Sequence, residues 1–186
     1  MPPLSPLTSF LLQRDQLLLP GAPPLTLHRI CFDAAAFTPA CFAAHDMALP
    51  ASLQHAAPKR LGEFLAGRLA AREALRPFGL AGSTVAIGSA REPLWPEGME
   101  GSISHSQLAG QGVALCGVRP AQGGMGLDLE AWLEADQATQ LWPGIVDEDE
   151  WGRLEAGARA LGLDRARGLT LVFSAKESLF KALHPR

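Results

Sequence analysis

The chain has 186 residues, of which 47% are apolar, and a formal net charge of −3. This length and composition are typical of a globular protein with one full-sized domain or two small halves sharing a core, and they exclude a fibre or a disordered tail. The acidic balance, with a pI of about 5.9, gives no overall positive field of the kind that favours nucleic acid. Any anion that the protein binds must therefore be held by a local cluster of cations.

The three cysteines indicate a reducing compartment. Cys31, Cys41 and Cys116 are odd in number, lack C-x-x-C spacing and lie among apolar residues. This pattern favours buried thiols over a disulfide frame, and a cytoplasmic location is expected. The leucine-rich stretch at residues 4–19 is interrupted by polar residues at 13–15 and has no basic start or cleavage site, so neither a signal peptide nor a membrane span is predicted.

In the first half of the chain, the patterns predict strands around one long helix. Residues 25–32 alternate well enough for a strand. Residues 59–76 carry an apolar stripe at helical spacing, with Pro58 just before it and Pro77 at its end, which predicts a helix. Further short strands are predicted at residues 84–87, 101–104 and 112–118.

The second half predicts a mixture of strands and helices. Residues 125–129 are expected to pair with the preceding strand across a hairpin loop at 120–124, giving a small antiparallel sheet. Residues 147–161 predict a helix with an acidic first turn. Residues 169–173 predict a strand that leads into a final helix at 175–183.

Two carboxylates lie on one face of the predicted strand at residues 126–130. Asp128 and Glu130 are two residues apart, so both project from the same side of a strand. Mg²⁺ prefers oxygen ligands and usually takes one or two carboxylates plus substrate phosphates and water, so the pair is a candidate half-site for a metal–phosphate complex. Alternatively, Asp128 and Glu130 could have no function and simply form the solvated polar face of an edge strand.

A third carboxylate and a lysine lie one turn apart near the end of the chain. Glu177 and Lys181 share a face of the predicted final helix and could meet the carboxylate pair. The structural alternative has two parts, a capping box formed by Ser174 and Glu177 and an ordinary ion pair between Glu177 and Lys181.

Basic and hydroxyl side chains form candidate phosphate contacts elsewhere. Arg60 and Arg68 lie on the polar side of the first helix, and guanidinium groups match phosphate geometry. Arg91 precedes a proline-rich turn, and Ser104 and His105 end a short strand with hydrogen-bonding groups. A solvated helix face and a surface histidine are the structural alternatives.

The order and combination of these motifs resemble one family, the 4′-phosphopantetheinyl transferases, and within it the siderophore-synthase-activating group typified by the enterobactin synthetase component. The resemblance covers roughly residues 59–182. It is carried by residues 59–68 (KRLGEFLAGR), 91–96 (REPLWP), 101–105 (GSISH), 126–130 (GLDLE) and 173–178 (FSAKES) with Lys181.

The resemblance implies an α+β (α/β) fold with pseudo-twofold symmetry. Each half would have a small antiparallel sheet and a long helix, with coenzyme A and Mg²⁺ in the cleft between them. Residues 1–120 would form the half with the basic coenzyme A-binding helix, and residues 121–186 the half that carries the metal site. The family pattern continues for several strands beyond the lysine helix, so this second half is expected to be incomplete. A monomer without nucleic acid or membrane partners is expected.

The resemblance also implies the reaction, which is transfer of 4′-phosphopantetheine from coenzyme A to a serine of an apo acyl or peptidyl carrier protein. Adenosine 3′,5′-bisphosphate would be released, in siderophore or other nonribosomal peptide biosynthesis. Glu177 would act as the base, and Lys181 would stabilise the leaving group. The implied metal ligands are Asp128, Glu130 and Glu177. The implied coenzyme A contacts are Arg60, Arg68, Arg91, Ser104, His105, Asp128 and Lys181.

One position departs from the family pattern, and two other functions stay open. Ala90 stands where members commonly carry a lysine, so this part of the phosphate contact would either be weaker or rest on Arg91 alone. The chain could be an inactive relic that binds only coenzyme A or a carrier protein. Asp128 and Glu130 could instead serve another Mg²⁺-dependent phosphoryl transfer or a nuclease, although the acidic pI disfavours nucleic acid.

Overall fold

A four-stranded antiparallel sheet forms the first half of the protein. The computed structural model describes residues 10–21 and 23–183, so residues 4–9 of the leucine-rich stretch lie outside the described part. The strands of the sheet are β1 (Leu11–Leu19), β2 (Leu25–Phe32), β5 (Met99–Leu108) and β6 (Gln111–Pro120), in the order β1-β2-β6-β5. The two-residue strands β3 (Ala86–Ile87) and β4 (Pro93–Leu94) form a separate ribbon.

One long helix covers a face of this sheet. Helix α2 (Pro58–Leu75) follows the short helix α1 (Ala40–Ala44) and packs on β2, β5 and β6. Pro58 lies in its first turn, where the missing N–H costs nothing. Alanines and glycines let α2 approach closely, since a Cβ at Gly67 would lie 2.9 Å from Ile103 Cγ2. The main core lies between the helix and the sheet.

The described part of the second half has three α-helices, α3 (Ala135–Leu141), α4 (Glu148–Ala160) and α5 (Arg165–Leu183). Their small core includes Leu154 and Leu169, and beside it Trp142 stacks on Trp151 with ring centroids 5.0 Å apart. Among the described residues of this half, none lies in a strand. The α+β class, with an antiparallel sheet and helices, is confirmed.

The strongest patterns predicted their elements well. The strand at residues 25–32 and the helix at 59–76 are confirmed as β2 and α2. The helix at 147–161 is confirmed as α4, which Asp147 caps by accepting a hydrogen bond from the Glu150 amide. Strands β5 and β6 are longer than predicted, because their hairpin turns at Ala109 and Gly110, both with positive φ.

Three predictions were wrong. Residues 125–129 lie outside any sheet, and residues 121–124 therefore connect the two halves instead of closing a hairpin. Residues 169–173 belong to α5, because Leu169 and Thr170 are buried on one side of a helix capped by Asp164. Ser174 lies inside this helix, so it does not cap the helix start.

The described chain has no membrane-spanning helix and has three buried thiols. Over residues 10–21 and 23–183, no helix combines the length and apolar character needed to cross a membrane. Cys31, Cys41 and Cys116 are buried free thiols, and burial raises the pKa of Cys116 above its ordinary value.

Candidate active site

Strand β5 separates the two sides of the site. Side chains alternate along a strand, and here Ile103 and His105 face α2. Ser102 and Ser104 point to the opposite side, where they contact the segment at residues 126–130. This segment, which carries the predicted metal carboxylates, is called the carboxylate segment below.

The carboxylate segment is attached to β5 through serine side chains. Leu127 donates its N–H to Ser102 Oγ at 2.9 Å, and Ser102 Oγ donates back to the Leu127 carbonyl at 3.4 Å. Two residues on, the Leu129 N–H donates to Ser104 Oγ at 3.1 Å. The two hydroxyls thus replace the backbone partners that a neighbouring strand would supply. This explains why residues 125–129 have the alternation of a strand without being one.

Helix α5 covers the other side of the carboxylate segment. A Cβ at Gly126 would lie 1.7 Å from the Ser178 carbonyl oxygen and 3.0 Å from the Ala182 nitrogen. Only glycine allows this backbone-to-backbone approach, since no real Cβ could occupy that space. The contact fixes the segment against the turn of α5 that also carries Lys181.

Lys181 joins the helix to the carboxylate segment. Its Nζ lies 2.5 Å from Asp128 Oδ1, in an ion pair where the Asp128 side chain is only 3% exposed. Nζ also donates to the Leu127 carbonyl at 3.1 Å and to Ser104 Oγ at 3.2 Å. Ser104 in turn donates to Asp128 Oδ1 at 3.0 Å. All three ammonium donors therefore have protein acceptors.

The predicted metal carboxylates form a group with surplus negative charge. Asp128 Oδ2 is buried and has no hydrogen-bond partner among the described residues. Burial, followed by the nearby charge of Asp128, raises the pKa of Glu130 above its ordinary value. Glu177 adds to this rise, and Lys181 opposes it. Asp128 and Glu177 are thus close enough to affect Glu130, and Lys181 is close enough to oppose them.

The carboxylates fit Mg²⁺ in kind, although they do not form a complete coordination site by themselves. Within residues 10–21 and 23–183, no group of three or more His, Cys, Asp or Glu side chains is close enough together to hold a metal ion. Mg²⁺ commonly takes only one or two carboxylates and completes its shell with phosphate oxygens and water. Among the described residues, Oδ2 of Asp128 is a buried carboxylate oxygen without a partner, and burial together with the charge of Asp128 disfavours the ionised form of Glu130; a cation would relieve both.

On the α2 side of β5, the predicted phosphate contacts share one cleft of about 730 Å³, called the basic cleft below. Arg60, Arg68, Arg91 and His105 all line it. Arg91 has a φ of 69° and closes a tight turn by donating its N–H to the Gly88 carbonyl at 3.0 Å. The structure therefore gathers residues that are up to 45 positions apart in the chain.

A histidine in the lining of this cleft connects α2 to β5. Arg60 Nη1 lies 3.1 Å from His105 Nε2, and Glu63 Oε2 lies 3.8 Å from His105 Nδ1. Burial lowers the pKa of His105, as do the charges of Arg60 and Lys181, whereas Glu63 opposes the change. A bound anion would favour the protonated imidazole, which donates from both nitrogens.

Arg68 lies deeper in the basic cleft. Its guanidinium is 4.6 Å from the centre of the Phe64 ring, and Nη2 donates to the Ala86 carbonyl at 3.3 Å. Burial lowers the pKa of Arg68 to about 10, and Nε has no hydrogen-bond partner among the described residues. The charge is therefore poorly solvated, and no described acid forms an ion pair with it, which favours an anionic ligand.

Ser104 differs from the other predicted coenzyme A contacts. It does not line the basic cleft but lies buried on the opposite face of β5, bonded to Asp128. Glu63 lies beside His105, and Ser102 holds Leu127. Neither residue was predicted from the sequence. Their positions in the sequence could have identified both residues. Glu63 is one helical turn from Arg60, and Ser102 is two strand positions from Ser104, so each shares a face with a predicted site residue.

A buried ion pair fixes the start of the carboxylate segment. Glu100 Oε1 accepts from Arg119 Nε at 2.7 Å, and Glu100 Oε2 accepts from the amides of Gly123 and Gly124 at 3.2 and 2.9 Å. Arg119 also donates to the Gly124 carbonyl at 3.1 Å. The connection between the halves is thus fixed only two residues before Gly126.

Comparison with known proteins gives two adjacent matches. The sequence model of the 4′-phosphopantetheinyl transferase N-terminal domain matches residues 49–117. The model of the 4′-phosphopantetheinyl transferase superfamily matches residues 124–186. The first match contains the basic cleft, and the second contains the carboxylate segment and Lys181.

Several curated proteins are similar over most of the chain. Enterobactin synthase component D of Salmonella typhi is 40% identical over 163 residues, which are 86% of this chain and 63% of that protein. The protein of the same name from Escherichia coli O157:H7 is 42% identical over 160 residues, or 84% of this chain and 70% of the relative. The 4′-phosphopantetheinyl transferase Svp of Streptomyces mobaraensis is 35% identical over 73% of this chain and 52% of its own length. The chain thus spans about 63% of the length of the Salmonella relative, and it belongs to the 4′-phosphopantetheinyl transferase superfamily, siderophore-activating type.

Proposed function

We propose that this chain transfers the 4′-phosphopantetheine group of coenzyme A to a serine of an apo carrier protein and releases adenosine 3′,5′-bisphosphate. One observation carries the proposal. The basic cleft and the carboxylate segment lie on the two faces of the same few residues of β5, where Ser104 binds Asp128 and His105 contacts Arg60. Because β5 is the edge strand of its sheet, a phosphate-rich ligand that extends from the cleft past this edge would meet carboxylates suited to a hard cation.

The basic cleft would bind the charged part of coenzyme A. Arg60, Arg68 and Arg91 supply guanidinium donors, and protonated His105 adds another. These side chains would hold the 3′-phosphate and the pyrophosphate, orient the reacting phosphorus and exclude water from it. The proposal thus assigns residues 1–120 to coenzyme A binding and residues 121–186 to the metal site, which the boundary between the two family matches supports.

Asp128, Glu130 and Glu177 would hold Mg²⁺. The ion, when bound, supplies charge neutralisation and orientation to the pyrophosphate oxygens. Asp128 would also keep the ammonium of Lys181 in place through their ion pair.

The proton and the leaving group are handled by side chains of α5. The serine oxygen of the carrier forms a bond to the phosphorus that bears the pantetheine arm, and Glu177 accepts the serine proton directly or through a water. The bond from that phosphorus to the bridging oxygen breaks, and its electrons leave with adenosine 3′,5′-bisphosphate. Lys181 stabilises the new charge by exchanging one of its present acceptors for a phosphate oxygen.

The carrier would belong to siderophore or other nonribosomal peptide biosynthesis. The names of the Salmonella and Escherichia relatives support an enterobactin-type system. The buried free cysteines are consistent with a cytoplasmic location, and one chain would act as a monomer because both sides of the site come from it.

The test is intact-mass analysis of an apo peptidyl carrier protein after incubation with this chain, coenzyme A and MgCl₂. We expect a gain of one phosphopantetheine, lost with EDTA and with Glu177→Gln but retained with Glu148→Gln, an exposed position of α4. Binding of coenzyme A by the folded chain without any mass gain would contradict transfer and support a protein that only binds. Hydrolysis of the pyrophosphate bond of coenzyme A without a carrier would support a different phosphoryl-transfer activity.

A further inference from the structure

A second cavity of about 640 Å³ lies on the other side of Arg68 from the basic cleft. The two spaces share Ser52, Phe64, Arg68 and Ile87 as a common wall. Arg60, Arg91 and His105 line only the basic cleft, whereas Arg72 lines only the second cavity. The volume is within the range of small-molecule sites, about 300–1,000 Å³.

The walls of the second cavity are largely apolar. They include Met47, Pro50, Ala51, Phe64, Val85 and Ile87. A flat ring or a short hydrocarbon chain fits such a surface, because methionine and aromatic side chains adapt to apolar ligands. This distinguishes the cavity from the basic cleft, whose three arginines favour a polyanion.

The charges in the second cavity are unbalanced. Two arginines, Arg68 and Arg72, and one acid, Asp46, line it, which leaves one net positive charge. Among the described residues, neither arginine is in an ion pair, and Asp46 is exposed to solvent. Arg72 is half-buried, and its Nη1 donates to a neutral acceptor, the His45 carbonyl, at 2.8 Å. A partly buried cation without a counter-ion favours an anionic ligand.

We propose that the second cavity binds a small monocarboxylate with an apolar ring or chain, and that Arg72 holds the carboxylate. The ring or chain lies against Met47 and Phe64, and the single negative charge matches the single excess positive charge of the lining. The site is independent of the proposed transfer reaction, because Arg72 contributes nothing to the lining of the basic cleft.

The test is calorimetric titration with 1-naphthoate and with its uncharged counterpart 1-naphthamide. We expect one naphthoate per chain and at least tenfold weaker binding of the amide. Arg72→Met should weaken naphthoate at least tenfold, and Arg60→Ala should leave it unchanged. A parallel titration with adenosine 3′,5′-bisphosphate should give the reverse pattern, with a loss in Arg60→Ala and no change in Arg72→Met.

A second variant protects the test against a folding defect, because Arg72 also contacts the loop at His45. Ala51→Trp places a large side chain into the cavity from an exposed position and leaves the Arg72 contact in place. It should abolish naphthoate binding and preserve bisphosphate binding. The proposal is overturned if naphthoate does not bind, if it binds Arg72→Met and Ala51→Trp as tightly as the natural chain, or if Arg72→Met weakens both ligands equally.

Discussion

The two carboxylate oxygens of Asp128 have different surroundings. Oδ1 is paired with Lys181, and Oδ2 is buried without a partner. We expect Asp128→Asn to reduce carrier modification by about 100-fold or more, because the amide cannot supply the charge that a cation and Lys181 require. The same change should alter the free energy of unfolding by no more than about 3 kcal/mol, since the shape is retained.

Mass spectrometry of the carrier and urea unfolding measure these two effects. Asp136→Asn is the matched control, because Asp136 is exposed in the first turn of α3. Full transfer by Asp128→Asn with unchanged Mg²⁺ dependence would refute the role of this carboxylate.

The stability of the protein should depend on pH because of Glu100. Burial alone would raise its pKa, but hydrogen bonds from Arg119 and from loop amides outweigh burial and lower the pKa to about 2. A pKa below the ordinary 4.5 means that Glu100 stabilises the fold fully above about pH 5 and loses this effect as the pH falls towards 2.

We therefore expect Glu100→Gln to lower the free energy of unfolding by about 1–3 kcal/mol at pH 7, because buried donors lose their charged acceptor. The difference from the natural chain should shrink between pH 5 and pH 3. Urea unfolding at several pH values measures it, with the exposed Glu97→Gln as control. A difference that stayed constant down to pH 3 would contradict the lowered pKa.

At the scale of elements, the contact between the carboxylate segment and α5 can be tested with single methyl groups. Gly126→Ala should displace the segment, because the new Cβ would overlap the Ser178 carbonyl. Such overpacking typically costs about 1–3 kcal/mol, and carrier modification should fall sharply because Asp128 moves with the segment. Gly152→Ala in α4 is the control, since a Cβ there meets nothing within 4 Å.

The control should stabilise the chain by about 0.5–1 kcal/mol, as alanine does within a helix. Equal activity and stability in both variants would show that the close approach at Gly126 is unimportant. Urea unfolding and the mass assay distinguish these outcomes.

The elements also show how far the sequence alone determines the structure. Helix α2 was predictable because 18 residues of regular apolar spacing lie between prolines. Residues 169–173 were not predictable, since a short run with four apolar residues out of five fits a buried strand and a buried helix equally well. The alternation at 126–130 drew attention to Asp128 and Glu130, and the charge of Asp128 affects the pKa of Glu130, but hydroxyls of a distant strand hold this segment. No local pattern could reveal such partners.

For the molecule as a whole, a net charge of −3 coexists with a basic cleft. Binding of coenzyme A should therefore be strongly salt-dependent, because the attraction is local and the Debye length falls from about 10 Å at 0.1 M to about 3 Å at 1 M. We expect the dissociation constant to rise about tenfold over this range, measured by calorimetry.

Arg60→Ala should weaken binding and flatten the salt dependence, whereas the exposed Arg153→Ala of α4 should change neither. A salt-independent affinity would mean that the cleft arginines do not contact the phosphates.

The distribution of thiols and indoles gives each half of the chain its own natural reporter. All three cysteines are buried in the first half, in β2, α1 and β6. Three of the four tryptophans belong to the second half, where Trp142 and Trp151 are stacked. The rate of thiol alkylation therefore measures opening of the sheet, and indole fluorescence measures chiefly the helical half. If the two denaturation profiles coincide, the carboxylate segment joins both halves into one cooperative unit. If the profiles are separate, each half of the chain unfolds independently.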